Sequence, residues 1–108
     1  MPMVTEVSPT DLKAQLDAGE RVHVIDVREA WELDIARLPF PVHLPMNQVP
    51  ERLQELPRDV PITVMCRSGG RSLQVARFLE KQGFDRVANL SGGILAWREQ
   101  IDPTLSPY

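Results

Sequence analysis

Three short apolar runs constrain this chain more than any other feature. Val22-His23-Val24-Ile25-Asp26-Val27, Ile62-Thr63-Val64-Met65 and Val87-Ala88-Asn89-Leu90 read as β-strands, and each precedes a stretch whose apolar residues recur at helical spacing. The first run is dense enough in apolar side chains to be buried on both faces. Strands alternating with helices predict an α/β fold with a mostly parallel central sheet and helices on both faces.

The punctuation agrees with this pattern. Ser8-Pro9-Thr10-Asp11 is a helix start, with Ser8 as cap, Pro9 in the first turn and Asp11 complementing the dipole. Leu12 and Leu16 share one face of that helix, and Gly19 closes it in a left-handed conformation. Residues 29–38, carrying Trp31, Leu33, Ile35 and Leu38, predict a short helix and turn. Pro39-Phe40-Pro41 is a break, and Val42-His43-Leu44 a short strand. A second amphipathic helix is expected from Asn47, with Val49, Leu53 and Leu56 on one face, ending at residues 57–61. A third spans residues 72–82 with Val75, Ala76, Phe78 and Leu79, ending at Gly83. Residues 87–90 are then a fourth strand, and Ser91 can cap a last helix bearing Ile94, Leu95, Trp97 and Ile101. Trp31 and Trp97 are assigned to the core, and residues 102–108 to an irregular tail. No repeat or linker interrupts the chain, so residues 1–108 read as one domain.

Composition narrows the function classes. A chain of 108 residues, 43% hydrophobic and 25% charged, is neither disordered nor a coiled coil, and its ten prolines exclude the latter independently. One core at this size buries roughly 60–70% of the unfolded surface, so folding requires no disulfide or metal. A net charge of −3 without basic runs argues against nucleic acid and anionic membranes. A single cysteine, Cys66, cannot pair internally, and one Cys with two His is a poor zinc set. No metal or cofactor is therefore expected. Residues 1–6 have neither a basic start nor an apolar run, and nothing approaches the roughly 20 apolar residues of a membrane span. These features point to a cytoplasmic domain with one free thiol.

The thiol sits in the segment that carries the chemistry, Cys66-Arg67-Ser68-Gly69-Gly70-Arg71-Ser72, between a strand and a helix. In parallel α/β folds the reactive site lies beyond the carboxyl ends of the strands. Two glycines let successive N–H groups turn inward into an anion-binding nest, and Arg67 and Arg71 add two cations in an acidic protein. Most buried cysteines are inert small hydrophobes. A cysteine with this surrounding is instead placed where its thiolate is stabilised. Arg67, next to the nucleophile, is expected at the entrance. Arg71, at the helix start, is expected to be tied to Asp26, Glu29 or Glu32.

The loop resembles the active-site loop of the rhodanese family, the thiosulfate sulfurtransferases. Val24-Ile25-Asp26-Val27-Arg28-Glu29 with Trp31-Glu32 is similar to the family's amino-terminal signature, and Leu90-Ser91-Gly92-Gly93-Ile94-Leu95-Ala96-Trp97 to its carboxy-terminal one. The resemblance implies a single rhodanese domain with Cys66 as nucleophile and residues 66–71 as the active-site loop. It implies a ping-pong reaction in which Cys66 takes a sulfur from thiosulfate or another persulfide donor and passes it to a thiol or cyanide. Arg67, Ser68, Gly69, Gly70 and Arg71 then form the anion-binding loop. Asp26, Arg28, Glu32 and Ser72 support it, and His23 and His43 are structural or at the surface. Lowering the thiol pKa gains only about two- to threefold in rate, because lost nucleophilicity offsets the larger thiolate fraction. Most of the catalysis is therefore assigned to anion binding and to persulfide stabilisation by the N–H nest.

One turn departs from the family pattern. Where the family usually has Gly-His and then Gly-Ala, this chain has Ala36-Arg37 and Phe40-Pro41. Phe40 is accordingly expected exposed or half packed. The segment from Trp97 to Tyr108 is similar to the tails of rhodanese domains fused to activators of sulfur-carrier proteins, which implies a sulfur-carrier protein as a possible partner. Two other functions compete. One is a protein-interaction module, either non-catalytic, which would usually lack the cysteine, or relaying sulfur in a sulfur-carrier pathway. A phosphatase or arsenate reductase would enclose five residues between Cys and Arg, whereas Cys66 and Arg71 enclose four.

Overall fold

The strands stack in an order unlike their order in the chain. In the computed structural model, which describes residues 4–108, β1 (Thr5–Val7), β2 (His23–Asp26), β3 (Val42–His43), β4 (Ile62–Met65) and β5 (Val87–Leu90) form one sheet ordered β1-β5-β4-β2-β3. All four pairings are parallel. Residues 1–3, half of the segment read for a targeting signal, lie outside the described residues. No described helix is long and apolar enough to cross a membrane.

Side-chain alternation along the strands builds two cores. Ile25, Ile62, Val64 and Cys66 face one cluster with Val75, Ala76 and Leu79 of α3 (Gly70–Lys81). Val24, Met65 and Leu90 face the other, with Leu12 of α1 (Pro9–Asp17) and with Ile94 and Trp97 of α4 (Gly93–Gln100). The period of two in β4 thus aims Cys66 toward the face that α3 covers.

Local signals account for most helix ends. The Ser8 side chain accepts the Asp11 N–H, Pro9 opens α1, and Gly19 and Gly83 adopt φ of 77° and 93° after their helices. The expected third helix begins two residues early, at Gly70, so Arg71 and Ser72 lie in its first turn.

Four expectations need correction. The sheet has five strands rather than four, because the three-residue β1 pairs with β5 at its edge. The amphipathic stretch after Asn47 is two 3-10 turns, Met46–Gln48 and Pro50–Glu55, with Arg52 at non-helical angles. Pro50 has no N–H to give the preceding turn, which breaks a continuous α-helix, although Val49 and Leu56 are buried as expected. Trp31 lies on α2 (Ala30–Ile35) and is 53% exposed, whereas Trp97 is core. Ser91 does not cap α4. Gly92 holds that position at φ 73°, and the Ser91 hydroxyl donates to Glu6 instead.

Candidate active site

Cys66 leaves the carboxyl end of β4 and its Sγ lies under the amino terminus of α3. The Gly69 N–H points at the sulfur from 3.1 Å and the Ser72 N–H from 3.4 Å, with Ser72 Oγ at 3.3 Å. Gly69 sits at φ 103°, a left-handed conformation that turns its amide inward at no steric cost. The first turn of a twelve-residue helix adds its positive end to these donors. Burial pushes the thiol pKa up. The Ser72 hydroxyl and the amides of Ser72, Gly69 and Ser68 pull it down further, and the net direction is down.

The loop's carbonyls are turned away from the sulfur by α4. The N–H groups of Ile94 and Leu95 bind the carbonyls of Cys66 and Arg67 at 2.9 and 3.1 Å. This approach needs a glycine at position 93, where φ is 59° and a Cβ would collide with both carbonyl oxygens. The Gly92-Gly93 pair of the sequence signature therefore shapes the Cys66 loop from behind.

The two arginines diverge. Both Nη atoms of Arg71 are bonded to Glu32, one of its three candidate partners. The pairing raises the Arg71 pKa and, with burial opposing, lowers that of Glu32. Arg67 enters none of the salt bridges among the described residues. Its guanidinium lies over the Tyr108 ring, 4.6 Å from the centroid.

Asp26 and Arg28 form a second, fully enclosed pair. Arg28 Nε and Nη2 donate to the Asp26 carboxylate, Nη2 also to the Ala36 carbonyl at 2.9 Å, and Nη1 to the Tyr108 main-chain oxygen at 2.8 Å. The Ala36 bond fixes the turn that departs from the family pattern, and Phe40 packs half-buried on Trp97 with centroids 5.3 Å apart. His43 Nε2 lies 2.7 Å from the Arg28 carbonyl, while His23, held toward the neutral form by burial, sits at the far end of β2.

Asn89 is the group sequence reasoning missed. Its Nδ2 donates to Gly69 O and to Glu6, which leaves Oδ1 facing Ser72 Oγ at 2.5 Å. The Ser72 hydroxyl has one proton, so it serves Asn89 or the Cys66 sulfur, one at a time. A buried polar residue in an otherwise apolar strand was the available signal. A cavity of about 630 Å³ lies at the opposite pole, by the amino ends of the strands, and of these groups only Glu6 lines it.

The rhodanese-like domain profile matches residues 8–100. The chain belongs to the rhodanese-like family. A protein named sulfurtransferase from Allochromatium vinosum is 38% identical over 105 residues, 97% of this chain and 98% of its own. The adenylyltransferase and sulfurtransferase uba4 of Emericella nidulans is 34% identical over 94% of this chain, which spans only 27% of that longer protein. The rhodanese-related protein of Thermoplasma volcanium superposes with a TM-score of 0.82 at 28% identity, covering 96% of this chain and 99% of its own. For a rhodanese-like chain these relatives support sulfur transfer. The donor cluster around Cys66 Sγ can hold a thiolate.

Proposed function

We propose that this rhodanese-like domain is a thiosulfate-type sulfurtransferase whose nucleophile is Cys66. The observation that carries the reading is the convergence of the Gly69 and Ser72 N–H groups and the Ser72 hydroxyl on one sulfur. In the first half-reaction the Cys66 thiolate attacks the outer sulfur of thiosulfate. A Cys66–sulfur bond forms, the S–S bond of the donor breaks, and sulfite leaves with the bonding pair. In the second, a thiol or cyanide attacks the outer sulfur of the Cys66 persulfide and the thiolate departs. No general base is needed once the thiol is ionised.

Arg67, with no carboxylate partner among the described residues, meets the anionic donor and the leaving sulfite. Arg71, its charge committed to Glu32, holds the loop in place, with Ser68, Gly69 and Gly70 supplying the anion-binding backbone. The likeness to a Bacillus subtilis protein named putative sulfur carrier protein YrkF, 37% identical over 87% of this chain and 51% of its own length, favours a sulfur-carrier protein as the biological acceptor. A free reacting thiol suits the reducing cytoplasm.

Intact-mass measurement after incubation with thiosulfate tests the reading. The protein should gain one sulfur atom on Cys66, and cyanide should release it as thiocyanate. An unlabelled wild type, or labelling that persists in Cys66→Ala, overturns the proposal. Cys66-dependent hydrolysis of an aryl phosphate at a comparable rate would assign the loop to phosphoryl chemistry instead.

A further inference from the structure

The tail is pinned over the loop at three points. The Leu105 side chain packs on the core around Trp97, its carbonyl accepts from Arg98 Nε at 2.5 Å, and the Tyr108 main-chain oxygen accepts from Arg28. These contacts place the Tyr108 ring between two side chains, with the Arg67 guanidinium 4.6 Å from its centroid and the Trp31 ring at 5.2 Å and 59°. The exposure of Trp31 thus has a structural use, as backing for the Tyr108 ring.

What holds Arg67 differs in kind from what holds Arg71. Glu32 takes both Nη atoms of Arg71 and neutralises its charge. Among the described residues Arg67 Nε is buried without a hydrogen-bond partner, and its guanidinium is held by an aromatic face. A ring face attracts a cation and fixes its plane without accepting the in-plane N–H donors. The charge on the residue that follows Cys66 is therefore oriented by a ring face and has no carboxylate partner among the described residues.

We propose that Tyr108 is a positioning residue, holding Arg67, the residue that follows Cys66, as a cation without a carboxylate partner among the described residues, for an anionic sulfur donor. The inference rests on the role given to Arg67 above, and its test does not depend on thiosulfate turnover. Rates of Cys66 alkylation by anionic iodoacetate and neutral iodoacetamide are measured for the wild type, Arg67→Ala, Tyr108→Ala, Tyr108→Leu and Tyr108→Phe. Tyr108→Ala and Tyr108→Leu should lower the iodoacetate-to-iodoacetamide ratio about two- to fivefold, the size of a cation–π contact near solvent. Tyr108→Phe should retain the ratio. Tyr108→Ala should have no further effect in an Arg67→Ala background.

A ratio lowered by Arg67→Ala but not by Tyr108→Ala overturns the positioning role while leaving that of Arg67 intact. Tyr108→Leu behaving as wild type, or Tyr108→Ala accelerating both reagents alike, reduces the tail to a cover and also overturns it. Equal ratios in wild type and Arg67→Ala remove the anion-binding role of Arg67 and this proposal together, whatever the thiosulfate mass experiment shows.

Discussion

Glu32 and Arg71, 39 residues apart, meet through two parallel hydrogen bonds, Nη1 to Oε1 at 2.7 Å and Nη2 to Oε2 at 2.8 Å. The carboxylate side chain is 3% exposed and the guanidinium 37%. Glu32 Oε1 also accepts the Glu29 N–H at 3.0 Å, closing the capping box of α2. One carboxylate therefore ties the start of α2 to the first turn of α3, whose amides face Cys66.

Arg71→Ala should lower both melting temperature and sulfur-transfer turnover. Breaking a buried ion pair costs about 3–5 kcal/mol, and the partial exposure of Arg71 reduces this to about 1–3 kcal/mol. Arg67→Ala should instead raise the KM for thiosulfate with little change in melting temperature. Thermal melts and a thiosulfate titration on each variant decide this, and the reverse pattern would exchange the two roles. Acid provides a second check. The Glu32 pKa is lowered in the fold, chiefly by Arg71, so its contribution is present above the ordinary carboxylate range and lost as pH falls through the lowered value. The melting-temperature advantage of wild type over Glu32→Gln should therefore shrink in acid.

Ser72→Ala should shift the pH profile of Cys66 alkylation by iodoacetamide to higher pH. Burial pushes the thiol up and the Ser72 hydroxyl is the strongest opposing group. Alkylation rate rises as the thiolate forms, so its midpoint must move upward when that donor is removed. An unchanged midpoint would mean that the hydroxyl proton stays on Asn89.

Gly93→Ala and Gly70→Ala should separate two glycines that look alike in sequence. An Ala at 93 meets the carbonyl oxygens of Cys66 and Arg67 and must hold φ 59°, so it should cost several kcal/mol, on the order of 2–4. A Cβ at Gly70 meets nothing within 4 Å on a helical backbone, and Ala there should be neutral or stabilise by up to about 1 kcal/mol. Denaturant unfolding of both variants measures the difference.

Arg28→Ala should be the most damaging change outside the loop. It strands the buried Asp26 carboxylate and leaves Ala36 O and the Tyr108 main-chain oxygen without their donor. The cost is about 3–5 kcal/mol, or roughly 10–20 °C in melting temperature. Arg28→Lys should rescue little, because an ammonium cannot serve three acceptors in the guanidinium plane.

The parts of the fold legible in sequence are those fixed over short distances. Ser8 and Pro9 start α1 through contacts within three residues, and the apolar density of β2 and β4 signals burial on both faces. β1 escaped notice because three residues give no periodicity and its pairing lies with a strand about 80 residues on. Trp31 was misassigned for a related reason. A large aromatic defaults to the core, and the ring it rests against is Tyr108, far along the chain.

The chemistry of the loop was set by adjacent residues. Alternation along β4 turns Cys66 to the face of Ile62 and Val64, and the glycines that follow open a helix whose amides must point at whatever lies beneath. The partners of those residues were decided elsewhere. Glu32 for Arg71, Asn89 for Ser72 and Tyr108 for Arg67 each come from a separate element, brought close by the order β1-β5-β4-β2-β3. Hydrogen bonds and ring contacts act over a few ångströms and carry no trace of chain separation. Which donor meets which acceptor therefore exists only once the crossovers have stacked the strands.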